Sequence, residues 1–143
     1  MFDFFKKFSR PKTTPTFRDS FFGPLARNSD GVWSGEMPFR NYHVKVLLSG
    51  SEFQPSSKRL ALARTLAPDM QAKVDSALNY AAEVDPKLWR GKLSFSALNL
   101  LYDADGDGFA LDFVALGDLS GKGWQVRFEQ GKPVQIEYAQ RAG

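Results

Sequence analysis

The sequence predicts an α+β domain: a mainly antiparallel sheet of about seven strands, in the order three strands, two helices, four strands, with the helical pair packed on one face. Alternation of apolar and polar residues recurs toward both ends of the chain. Val44, Val46 and Leu48 alternate with His43, Lys45 and Leu47, and Trp124, Val126 and Phe128 alternate with Gln125 and Arg127. Between these stretches the period changes, and Leu60, Ala63, Ala67, Met70, Val74, Ala77, Leu78, Ala81 and Val84 recur at steps of three and four. Strands and helices do not alternate along the chain, which points away from a parallel sheet.

The first strands are expected at 20–27, 32–39 and 42–49. Asn28-Ser29-Asp30-Gly31 supplies turn residues between the first two, with Gly31 free to take a positive φ. Ser56 or Ser57 caps the helical region. Pro68 would interrupt a continuous helix, so one helix should end near Leu66 and a second should carry Pro68 in its first turn and end before Asp85-Pro86. Strands are then expected at 92–102, 109–116, 124–129 and 134–139. Matching Phe128 with Val134, Val126 with Ile136 and Trp124 with Tyr138 requires a three-residue loop, Gln130-Gly131-Lys132. A two-residue loop would need a bulge to keep the apolar residues on one face.

The chain has 143 residues, 43% hydrophobic and 24% charged, with no cysteine and a net charge of +3. A domain of this size folds without metals or staples, so no cofactor is expected. The absence of cysteine excludes disulfides, thiol catalysis and Cys-ligated zinc. Residues 1–16 read as a basic, Phe-containing leader followed by a Pro/Thr linker, and residues 17–143 as one domain. Within residues 1–18, Lys6, Lys7, Arg10, Lys12 and Arg18 face Asp3 alone, leaving 14 basic and 15 acidic side chains in residues 19–143. That balance argues against a nucleic-acid-binding surface. No apolar run is long enough to span a membrane, and no secretory signal is recognisable, so the chain is expected to start at Met1 in the cytoplasm. Phe2, Phe4, Phe5 and Phe8 beside Lys6 and Lys7 form a two-turn amphipathic pattern that could touch an anionic membrane surface, which makes a peripheral inner-membrane protein the alternative reading.

Catalytic signatures are absent. Asp103-Ala104-Asp105-Gly106-Asp107-Gly108 matches the first half of a calcium loop, but Val114 stands where a bidentate Glu is required and the flanks have strand character. Asp103, Asp105 and Asp107 are therefore weak metal candidates, and a hairpin tip explains the same residues. His43 is the single histidine, with no G-x-S-x-G and no phosphate-binding glycine loop elsewhere.

Phe21-Phe22-Gly23-Pro24-Leu25 followed by Trp33-Ser34-Gly35 resembles the F-G-x-L and W-x-G openings of a family of small bacterial domains of unknown function. Ala77-Leu78-Asn79-Tyr80 in a proline-led helical region and the final hairpin, 124–134, extend the likeness over about residues 17–140. The resemblance implies a relation to immunity proteins, which inhibit a cognate toxin by binding it, and brings no catalytic residue. The expected function is thus a non-enzymatic protein-binding domain whose partner, a toxin under this reading, meets the polar strand positions His43, Lys45, Gln125, Arg127, Gln135 and Glu137.

Overall fold

The computed structural model describes residues 15–89, 93–102, 106–115 and 122–140. Four strands come first: β1 (Thr16–Asp19), β2 (Gly23–Arg27), β3 (Trp33–Phe39) and β4 (Tyr42–Leu48). Helices α1 (Ser57–Leu66), α2 (Met70–Val84) and the short α3 (Pro86–Trp89) follow. Four more strands complete the fold: β5 (Leu93–Leu100), β6 (Phe109–Ala115), β7 (Lys122–Glu129) and β8 (Lys132–Gln140). All eight lie in one sheet in sequence order, β1 to β8. Every neighbouring pair is antiparallel except β4 and β5, which run parallel from Lys45 opposite Ala97 to Leu48 opposite Leu100.

An α+β fold with a mostly antiparallel sheet is therefore present, but the expected order of three strands, two helices and four strands does not hold. An additional strand, β1, precedes the others. It is only four residues long and follows Pro15, so its composition merges with the Pro/Thr linker. The expected strand at 20–27 begins instead at Gly23, because the Asp19 carboxylate accepts from the backbone N–H of both Phe21 and Phe22 at 2.9 Å and turns the chain there. The helical pair is also revised. Leu66, Ala67 and Met70 all keep right-handed helical dihedrals, and a 3-10 turn at Ala67–Asp69 carries Pro68 without a fold-back. Pro68 lacks an N–H and sits where the following helix needs none, so it steps one helical run instead of separating two packed helices. That run connects β4 to β5 and carries the chain back along the sheet, so β5 sets out from the same end as β4 and the two strands are parallel.

The core lies between the helical run and one face of the sheet. Trp33, Met37, Val44, Val46, Leu48, Leu98, Leu111, Phe113, Val126 and Phe128 meet Leu60, Ala63, Leu66, Met70, Val74 and Ala77. Each large apolar side chain buried there contributes about 1.5–3 kcal/mol. Ser56 caps α1, its Oγ accepting from the Arg59 N–H at 3.3 Å.

The β7–β8 hairpin corrects the expected loop. Trp124 pairs with Tyr138 and Val126 with Ile136 as the apolar matching requires, but Phe128 faces Pro133 and Glu129 faces Lys132. The loop has two residues, Gln130 and Gly131, both at positive φ (50° and 76°), as in a type I′ turn whose twist suits a hairpin. A bulge between Arg127 and Phe128 absorbs the extra residue and restores the register toward Trp124.

The F-G-x-L and W-x-G motifs meet in space. A Cβ placed on Gly35 would lie 2.3 Å from Cδ2 of Leu25, and Leu25 is fully buried, so the glycine makes room for the leucine. Gly35→Ala is expected to cost about 1–3 kcal/mol by overpacking. Urea unfolding checks this, and a change below about 0.5 kcal/mol would contradict it.

Asp19 also receives the guanidinium of Arg64 on α1, which fastens the β1–β2 turn to the helical layer. Burial pushes its carboxyl pKa up, but the hydrogen bonds from Arg64, Phe22 and Phe21 outweigh this and hold it below the ordinary value. A carboxyl lowered in the folded state stabilises above its unfolded pKa, near 3.9, and loses that contribution as the pH falls through the folded value. The stability advantage of the native chain over Asp19→Asn should therefore be full at about pH 6 and shrink as the pH falls below about 4, as followed by urea midpoints.

Candidate functional site

The sheet face opposite the helices carries no packed layer among the described residues. Residues opposite one another on neighbouring strands share a face, so the pairing register defines rows across it. One row runs Glu36, Lys45, Ala97, Asp112, Gln125, Glu137 from β3 to β8. The next runs from Ala26 and Ser34 through Leu47, Asn99 and Ala110 to Arg127 and Gln135. Each strand has an apolar set facing the helices and a polar or small set facing out, and the first set dictates the second.

Hydrogen bonds link the middle of this face. Asp112 accepts from Gln125 Nε2 at 3.0 Å and from Asn99 Nδ2 at 3.2 Å, and Asn99 Oδ1 accepts from the Leu101 N–H at 3.0 Å. Asn99 and Gln125 are buried polar residues, and this network satisfies amides that would otherwise be costly to bury. Toward β8, Arg127 pairs with Glu137 at 3.6 Å and lies 5.0 Å from the centre of the Tyr102 ring.

Two open hollows flank the ridge formed by Glu36, His43 and Lys45. One, about 590 Å³, is bounded by Pro24, Ala26 and Pro38 and rimmed by Phe21, which is 53% exposed. The other, about 550 Å³, is bounded by Leu47, Ser96, Ala97, Asp112 and Val114. Their mixed lining offers apolar contact with scattered polar groups, which suits a folded partner or an extended chain.

All six strand residues named from the sequence, His43, Lys45, Gln125, Arg127, Gln135 and Glu137, lie on this face. Glu36, Asn99 and Asp112 were not anticipated. Asn99 was legible as a polar residue between Leu98 and Leu100, whereas Asp112 becomes conspicuous only once its strand neighbours are known. Asp107 is exposed at the β5–β6 loop, while Asp103, Asp105 and the leader residues Phe2, Phe4, Phe5, Lys6, Lys7 and Phe8 lie outside the described residues. Among the described residues no three His, Asp or Glu side chains converge as a metal site, and no helix is long and apolar enough to cross a membrane.

The β5–β6 loop has an anchor that the sequence did not indicate. Arg59, in the first turn of α1, is fully buried, and its guanidinium donates to the carbonyls of Tyr102 (3.0 Å), Gly108 (2.7 Å) and Gly106. A calcium loop turns backbone oxygen toward its ion, and here these carbonyls face a guanidinium instead.

Comparison with protein-family models, with curated proteins and with solved structures finds no match for this chain.

Proposed function

We propose that the protein is a non-enzymatic binding domain that engages a protein partner with its open sheet face. The observation that carries this reading is the pair of polar rows running to β8, with hollows on either side of Glu36, His43 and Lys45. Charges of both signs are mixed on this face, and Asp112 and Arg127 are held by neighbours, an arrangement that favours specific docking over proton transfer. The motif resemblance supports an immunity-type role, in which the partner is a toxin held by direct contact.

The test compares two baits from the same preparation, the native chain and a Lys45→Glu, Arg127→Glu double variant, in affinity capture from the source organism followed by mass spectrometry. A partner retained by the native chain and lost by the variant is expected, and co-expression with the native chain should relieve any growth arrest that partner causes. Identical captured sets would overturn the assignment to this face, and a lost partner that causes no arrest would overturn the immunity reading. Liposome co-sedimentation that falls when the chain is cut back to start at Thr16 would favour the membrane alternative instead.

A further inference from the structure

The larger hollow on the open face lies beside the start of β1. Thr16, the first residue of that strand, lines it together with Pro24, Ala26 and Pro38, and Phe21 stands at its rim. Pro15 is held next to it, its carbonyl accepting from the Arg27 N–H at 3.0 Å, so the residues before Pro15 join the domain at this edge. Phe21 packs edge-on against buried Phe22, with ring centres 4.8 Å apart, yet is 53% exposed. A fixed aromatic surface is therefore left without a cover among the described residues. Glu36 is the one carboxylate among the described residues that line the hollow, and it makes no ion pair with any of them.

We propose that residues 1–14 dock in this hollow of their own chain, with the rings of Phe5 and Phe8 packed against Phe21, Pro24 and Pro38. Apolar character, charge and reach all favour this occupant. The segment holds four of its first eight residues as Phe, and an aromatic ring gains most where another ring and prolines wall the space it enters. Lys6 and Lys7 lie between Phe5 and Phe8, which brings a positive charge to Glu36. Phe8 precedes Thr16 by eight positions, so the chain carries it up to about 26 Å from that residue. The span from β1 to β4 is only about 14 Å.

The tether also makes a weak contact sufficient. A short linker gives an effective concentration on the order of 1 mM, so rings that would not hold a separate peptide hold one already attached. The second hollow, beyond Lys45, is farther from Thr16 and is bounded by Ser96 and Asp112, which offer a phenyl ring less. This docking concerns the chain alone and does not depend on the partner-binding reading, although a partner that reaches His43 and Lys45 has to displace the leader.

Paramagnetic relaxation in the full chain tests the proposal. The protein has no cysteine, so Ser9→Cys supplies a single nitroxide site that changes no Phe and no charge. Without lipid present, the label is expected to broaden the amide signals of Ser34, Glu36 and His43. Phe5→Ser with Phe8→Ser keeps the tether but removes the rings, and should reduce that relaxation enhancement at least about threefold as the docked population falls. Unshifted amide signals elsewhere in the domain confirm that both labelled proteins fold. Broadening confined to the neighbours of Thr16, or equal in the two proteins, overturns the proposal. So does equal broadening in a mixture of labelled copies with unlabelled, isotope-enriched ones, since the occupant would then be a second copy.

Discussion

Replacing Arg59 with methionine is expected to lower the unfolding free energy by about 3 kcal/mol, because hydrogen bonds from a charged donor contribute about 1.5–3 kcal/mol each and the buried Gly108 carbonyl would be left without its donor. The side chain is fully buried beneath the β5–β6 loop and holds the carbonyls of Tyr102, Gly106 and Gly108. Methionine fills much of the same volume, so the loss reports the guanidinium and not a cavity. Lysine should recover only part of it, since one ammonium cannot match the planar fork that reaches three acceptors. Urea unfolding gives the free energy, and hydrogen exchange locates the effect, which should be largest around 101–110. If Arg59→Met unfolds within about 1 kcal/mol of the native chain, the loop is anchored by something else.

Trp33→Ala should cost about 3–5 kcal/mol. Trp33 is fully buried at the start of β3, opposite Leu48, and its Nε1 donates to the Ser51 carbonyl at 2.8 Å. It therefore packs the core and also ties down the loop that carries the chain from the sheet to α1. Trp33→Phe separates the two roles: it keeps most of the apolar contact and should lose about 1 kcal/mol for the hydrogen bond. Denaturant midpoints with unchanged slopes would check both variants, and a loss below about 2 kcal/mol in Trp33→Ala would contradict the central place given to this residue.

Much of the architecture was legible because it rests on local periodicity. The alternation in β4 and β7 identified which residues face the core, and the same alternation placed Lys45, Gln125 and Arg127 on the opposite face. The β2–β3 turn was equally readable, since Asn28 Oδ1 accepts from Asp30 and Val32 at 2.9 Å and Gly31 takes a φ of 84°. β1 escaped notice because four residues cannot establish a period. The β7–β8 loop was misread because a type I′ turn with a bulge and a three-residue loop both preserve the apolar match, and only backbone twist favours the first.

The sequence by itself determined the strand faces, the position of the helical step at Pro68 and the polar character of the open surface, because each follows from residues a few positions apart. Only the tertiary structure decided the parallel pairing of β4 with β5, the burial of Arg59 and the joining of Asn99, Asp112 and Gln125. Those features depend on contacts between segments distant in sequence, such as the 49 residues separating Arg59 from Gly108. No local pattern encodes which distant acceptor a cation will meet once a helix has crossed the sheet.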